Sequence, residues 1–176
     1  MVKCILTLDL ATRSGYCLWK LGSKPVLGNK NFSRYKDNMD ARLYYFEKWL
    51  DRLVRINEVD FIVYEAPILV HNGPKTTKPA TAFILMNLAG SPHRIGFKHG
   101  ARVSHCRADR WRSKVLGNGR LTSDEAKEKA MQFARDCGFD PKYHDEADAF
   151  CLMEYTARLL DIKRAWHDSW EFNFDG

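Results

Sequence analysis

Four carboxylates stand where acids are costly. Asp9 closes an apolar run, KCILTLD, that reads as a buried strand. Glu65 closes a second one, VDFIVYE. Asp145 and Asp148 open a largely apolar helical stretch, HDEADAFCLMEY. A carboxylate at the end of a core strand is unfavourable unless it is paired, hydrogen-bonded or bound to metal. Residues three apart on a helix share a face, so Asp145 and Asp148 repel unless a cation lies between them. Together the four supply hard oxygen ligands, the set that Mg2+ or Mn2+ takes. Two such ions in one site activate water and stabilise the leaving oxygen of a phosphodiester. Structural roles compete at each position taken singly. Asp145 and Glu146 suit a helix start, and Asp9 suits the cap of an Asx turn. All three places being structural at once, in a basic chain, is the less economical reading. His144 precedes Asp145 and lies four residues before Asp148. It is either a group that orients a carboxylate and shuttles a proton or a part-exposed surface histidine.

Positive charge gathers around these acids. Arg107, Arg110, Arg112, Lys114 and Arg120 flank the break Gly117-Asn118-Gly119. Lys75 and Lys78 lie in the segment VHNGPKTTKPA that follows Glu65. Such groups hold phosphates and position a nucleic-acid backbone without reading its sequence. The competing reading is a solvated helix face. Ile68 and Leu69 are either an apolar wedge that unstacks a base step at a branch or ordinary core residues.

The elements that must carry these residues follow from periodicity. Residues 3–9 form a strand, Tyr16 to Trp19 a second, and Val26 to Tyr35 a third and more polar one. Turn chemistry at Gly15 and at Gly22–Pro25 makes this opening an antiparallel meander. Leu43, Phe46, Leu50, Leu53 and Val54 recur at helical spacing over 40–57. A strand runs from Val59 to Glu65 and is stopped by Ala66-Pro67. A helix from Ala80 to Ala89 and a short strand at 101–103 follow. A short basic helix spans 108–115. Thr122 with Glu125 forms a capping box for a helix ending at Gly138. The last helix covers 144–161, with Ala147, Phe150, Cys151, Tyr155 and Leu159 facing inward. The chain is therefore α/β, one domain over 1–162 with an aromatic and acidic tail at 163–176.

Composition bounds the rest. The 176 residues are 45% hydrophobic, enough for a real core, and carry a net charge of +6. A basic surface favours polyanions. Five cysteines, an odd number with no C-x-x-C pair, fit free thiols in a reducing compartment. His105, Cys106, Cys137 and His144 match no zinc spacing. The N-terminus, MVKCILTLDL, is interrupted too early for a signal peptide, and no apolar run reaches membrane length. The expectation is a soluble cytoplasmic protein.

The order LDLATRSGY, IVYEAP, HDEADAF resembles the RuvC-type Holliday-junction resolvases, most of all their compact phage-type members. WRSKVLGNGRLTSDEAKEKAM also resembles that family's basic, glycine-punctuated stretch. The likeness spans roughly residues 3 to 160. It implies a ribonuclease H-like fold, with a mixed sheet of three antiparallel strands joined to parallel ones. Asp9, Glu65, Asp145 and Asp148 fall on the family's acids. It further implies a Mg2+- or Mn2+-dependent endonuclease that acts on branched DNA as a homodimer. Three positions depart from the family pattern. Ala11 stands for a glycine, Ser123 for a lysine with Arg120 nearby, and Ile68-Leu69 for an aromatic wedge. These bear on junction selectivity more than on the chemistry. Other readings remain open: a nuclease of RNA–DNA hybrids, flaps or forks, a branched-DNA-binding protein that does not cut, and a nucleotide-binding fold of the actin and sugar-kinase type. The chain is short for the last, and no glycine-rich phosphate loop follows Asp9.

Overall fold

The structure, a computed structural model, describes residues 2–68 and 77–163. The apolar run at the N-terminus forms β1 (Cys4–Asp9), the centre of a five-stranded sheet. On one side β1 pairs antiparallel with β2 (Arg13–Lys20), and β2 with β3 (Val26–Asn31). On the other side it runs parallel to β4 (Phe61–Glu65), and β4 parallel to β5 (Arg102–Cys106). The order β3-β2-β1-β4-β5 is the mixed sheet expected.

Parallel neighbours need crossovers, and helices supply them. Helix α1 (Met39–Asn57) joins β3 to β4, and α2 (Pro79–His99) joins β4 to β5. Both lie on one face, over Leu6, Leu8, Ile62 and Tyr64. Helices α3 (Ala108–Val115), α4 (Ser123–Asp136) and α5 (His144–Leu159) cover the other face, over Ile5, Cys17, Trp19 and Val63. Side chains alternate along a strand. Asp9 is in phase with Ile5 and Thr7, and Glu65 with Phe61 and Val63. Both acids therefore face the α5 layer.

Several boundaries differ from the sequence reading. Helix α2 does not stop at Ala89 but continues through Gly90-Ser91-Pro92 to His99. Ser91 is fully buried, and its hydroxyl donates to the Glu47 carboxylate and the Asn87 carbonyl, both at 3.1 Å. Packing against α1 holds the helix together where local propensity predicts a stop. Gly15 is not in a turn: β2 already starts at Arg13. The third strand ends at Asn31, and Ser33–Tyr35 is a single 3-10 turn. Leu159, expected to face inward, is 67% exposed at the end of α5, and Tyr155 is half-buried. The capping box at Thr122 forms as read, with Glu125 accepting from the Thr122 backbone N–H. All five cysteines are buried, and none is in a disulfide among the described residues. Among the described residues, no helix is long and apolar enough to cross a membrane. The expected tail, from residue 164 on, lies outside the described residues, as do Leu69 and Lys75.

Candidate active site

The four carboxylates arrive at one end of the sheet from three elements. Asp9 ends β1, Glu65 ends the adjacent parallel β4, and Asp145 and Asp148 occupy the first turns of α5. Across the sheet, Asp9 stands opposite Gly15, and Gly15 opposite Asn29. Helix α5 starts directly above this row. A Cβ at Gly15 would lie 1.9 Å from the Asp145 carbonyl oxygen, so only glycine lets the helix come this close. At Asn29 the side-chain amide donates to Glu146 Oε1 at 2.5 Å, while the Lys142 N–H donates to Glu146 Oε2 at 2.7 Å. One turn further along α5, the Thr7 hydroxyl donates to the Ala149 carbonyl at 2.6 Å in a fully buried contact. The helix is thus tied to β1 and β3, which sets where Asp145 and Asp148 stand.

These ties also decide between roles left open by the sequence. Glu146, not Asp145, accepts the Lys142 N–H just ahead of the helix start. The turn after β1 is closed by Ser14, whose hydroxyl accepts from the Ala11 N–H at 3.3 Å and donates to the Ala11 carbonyl at 2.8 Å. Buried Arg42 of α1 secures the same turn through Thr12 Oγ1 at 3.4 Å and the Lys36 carbonyl at 2.6 Å.

The electrostatics tie the acids together. Asp9 keeps some exposed surface, yet burial pushes its carboxyl well above the ordinary range, and Glu65, Asp148 and Asp145 push it further. Burial also raises Asp148, to about 7, with Glu65 and Asp145 adding to the shift. Asp148 Oδ1 is buried without a hydrogen-bond partner. Glu65 is raised by burial and drawn back by Trp111, whose indole N–H donates to Glu65 Oε2 at 2.7 Å. Burial raises Asp145, against the pull of Arg13.

Cations around the cluster are only partly those the sequence singled out. Arg112 of α3 acts on Asp9, Glu65 and Asp148, so it serves the acids directly; its Nε is buried without a hydrogen-bond partner. Arg107 pairs with Asp109 at 2.9 Å, and Arg110 lines a groove at the β5 edge beside Tyr155. Lys78, Lys114 and Arg120 are exposed. Ile68 is 62% exposed just beyond Glu65, which excludes a core role for it. His144 is exposed on the first residue of α5. Sequence reasoning missed Arg13 and Lys127, both of which lower Asp145. It also missed Trp111 and Asn29, and it read Gly15 as a turn glycine. Arg-Trp-Arg at 110–112 was a usable signal, because a tryptophan inside a basic helix needs a buried place.

The residues present fit a divalent cation. The donor set is all carboxylate oxygen, and one buried oxygen lacks a partner. Among the described residues, no group of three or more His, Cys, Asp or Glu side chains is gathered tightly enough to hold an ion as it stands. Coulomb repulsion reaches much further than a bond to Mg2+ of roughly 2 Å, so like charges can feel one another while their oxygens stay apart. Mutual repulsion favours such a splayed arrangement until a cation offsets it.

A pH dependence follows. The folded value of Asp148, about 7, lies above the ordinary carboxylate value of 3.8. Stability from this group is therefore present at low pH and lost as pH rises toward 7. Metal-free protein should melt several degrees lower at about pH 8 than at about pH 5. Asp148→Asn should flatten that fall, and Mg2+ or Mn2+ should raise the melting temperature of the parent protein at pH 8. Differential scanning calorimetry checks both. A melting temperature at pH 8 indifferent to metal and to the substitution would refute the assignment.

No protein-family model matches the sequence, and no curated protein matches it significantly. Solved structures do. Thermus thermophilus RuvC is similar at a TM-score of 0.63 and 13% identity, over 90% of this chain and 96% of that one. The same organism's RuvC in complex with Holliday junction substrate gives 0.64 and 13%, over 92% and 98%. The yeast mitochondrial Holliday junction resolvase Ydc2 gives 0.53 and 13%, over 89% and 80%. The chain has the RuvC-type, ribonuclease H-like fold that its motifs imply.

Proposed function

We propose that this protein is a metal-dependent endonuclease that hydrolyses phosphodiester bonds in branched DNA such as four-way junctions. The observation that carries the reading is the meeting of Asp9, Glu65, Asp145 and Asp148 at one end of a RuvC-type sheet, with Asp148 Oδ1 buried and unpartnered. Similar structures include a RuvC bound to a Holliday junction substrate, which supports the substrate class.

Asp9, Glu65, Asp145 and Asp148 would hold Mg2+ or Mn2+, with room in the donor count for two ions. Bound there, such cations make water nucleophilic and offset charge on the leaving oxygen. Trp111 orients Glu65 by its 2.7 Å hydrogen bond. Arg112 tempers the acids' repulsion. Thr7 and Glu146 fix α5, and the glycine at 15 sets its height above β2. Lys75, Lys78, Arg107, Arg110, Lys114 and Arg120 are proposed to hold phosphates, and Ile68 with Leu69 to press on the branch point. His144, exposed beside Asp145, is placed to pass a proton to solvent.

A four-way junction presents two equivalent strands, so a two-fold homodimer matches it. Phe83, Met86 and Phe97 of α2 are 53%, 53% and 92% exposed, an apolar stripe suited to a second copy. The protein would act in the cytoplasm, where its thiols stay reduced.

A cleavage panel tests the reading: four-way junction, flap, fork, RNA–DNA hybrid and linear duplex, each with and without Mg2+ or Mn2+. Paired nicks in the junction, dependent on metal, are expected. Preferred cutting of the hybrid or flap would move the substrate class. Junction binding without any metal-stimulated cutting would leave a binding protein.

A further inference from the structure

A second nucleic-acid-like surface lies on the opposite face from the carboxylates. The 3-10 turn at Ser33–Tyr35 and the outer side of α1 enclose a cavity of about 490 Å3 beside the edge strand β3, within the ordinary size range of a small-ligand site. Its walls are aromatic and basic. Tyr35 and Tyr45 stack with ring centres 4.5 Å apart and planes 9° from parallel. The Arg34 guanidinium stands 4.5 Å from the Tyr35 centre and 5.7 Å from that of Tyr45. Trp49 lines the cavity from within, anchored on Phe32 and Phe46 at 5.9 and 5.6 Å. Lys30, Lys48 and Arg52 are exposed around the opening. The one acid in the lining, Asp51, is already engaged by Lys98 at 2.7 Å and His99 at 2.8 Å.

Packing on the core accounts for Trp49 and Tyr35 but not for the exposed rings of Tyr44 and Tyr45. Tyr45 is 42% exposed, and its neighbour Tyr44 53%, where a polar residue would serve solubility better. Exposed rings among cations suit bases that stack while phosphates are neutralised. Position adds to the case. Asn31 pairs with Arg13 in the β2–β3 ladder, and Arg13 acts on Asp145. The cavity thus opens at the same end of the sheet as the acids, on its other face and beyond β2. A duplex buries its base faces, so this chemistry selects unpaired nucleotides.

We infer that the cavity formed by Arg34, Tyr35, Tyr45 and Trp49, rimmed by Lys30, Lys48 and Arg52, binds a single-stranded DNA segment by stacking its bases. The inference goes beyond the nuclease reading and shares with it only the nucleic-acid ligand.

The test uses the full chain in EDTA, which prevents cleavage, with a single-stranded oligonucleotide carrying 2-aminopurine. Binding with a change in 2-aminopurine fluorescence is expected for the parent protein. Tyr45→Ala should weaken binding about ten-fold and remove most of the fluorescence change, as loss of one base stack does. Lys48→Glu with Arg52→Glu should weaken it at least as much and reduce its salt dependence by about one unit of log–log slope. Parent-like binding and fluorescence in both variants, with unaltered circular dichroism, would overturn the assignment. Should Tyr45→Ala fail to fold, the double variant decides alone. Absent metal-dependent cutting with intact single-strand binding would overturn the nuclease reading and leave this one standing.

Discussion

Asp9→Asn is expected to lower metal-dependent junction cleavage by about a thousand-fold while leaving junction binding and the fold intact. The substitution keeps shape and removes one charge from the point where β1 meets α5. A ligand position of this kind is worth several kcal/mol in the transition state, and about 4 kcal/mol corresponds to three decades in rate. The same change should raise the melting temperature of the metal-free protein. Asp9 is raised by burial and by three neighbouring acids, so its ionised form is costly in the folded state. A neutral amide relieves that repulsion. Lost activity together with gained stability separates a residue kept for chemistry from one kept for structure. Cleavage assays, junction gel shifts and calorimetry on one preparation read all three quantities. Cleavage within ten-fold of the parent would reject the role of Asp9.

Gly15→Ala should also disable the proposed cleavage, by a steric route. The added methyl would stand 1.9 Å from the Asp145 carbonyl oxygen and 2.9 Å from its Cβ. The clash is with helix backbone, so no side-chain rotation relieves it, and α5 must lift from β2. Asp145 and Asp148 rise with it, and the Asn29–Glu146 hydrogen bond stretches. Displacement near 1 Å in a catalytic constellation lowers rate about a hundred-fold. Overpacking of this kind destabilises by about 1 to 3 kcal/mol, which leaves a folded chain. Metal affinity should weaken too, measured by the rise in melting temperature across a Mn2+ titration. Parent-like cleavage by Gly15→Ala would show that the helix start is free to move.

What the sequence revealed and what it withheld divide along physical lines. The acids were legible because each breaks an apolar run, an anomaly that needs no knowledge of contacts. Helix α1 was legible because its apolar residues keep a 3.6 period, and α4 because its capping box is local. Helix α2 was misjudged at Gly90-Ser91-Pro92, where burial against α1 outweighs the local signal to stop. Gly15 looked like a turn glycine because its reason is a helix 130 residues away in sequence. The basic residues of α3 looked alike, yet Arg112, which acts on the acids, and Arg110, which lines the groove beside Tyr155, are two residues apart and so lie on opposite sides of the helix. Arg13 and Lys127 had no local mark, since their relation to Asp145 exists only after folding.

Helix α5 carries two of the acids and is also the most deeply buried of the helices, with Ala147, Ala149, Phe150, Cys151 and Met153 at 0% exposure. The proposed cutting machinery and the keel are the same piece. Such a site has no soft joint of its own through which heat could spoil it early. Activity on warming should persist until the whole body melts, and then vanish with it.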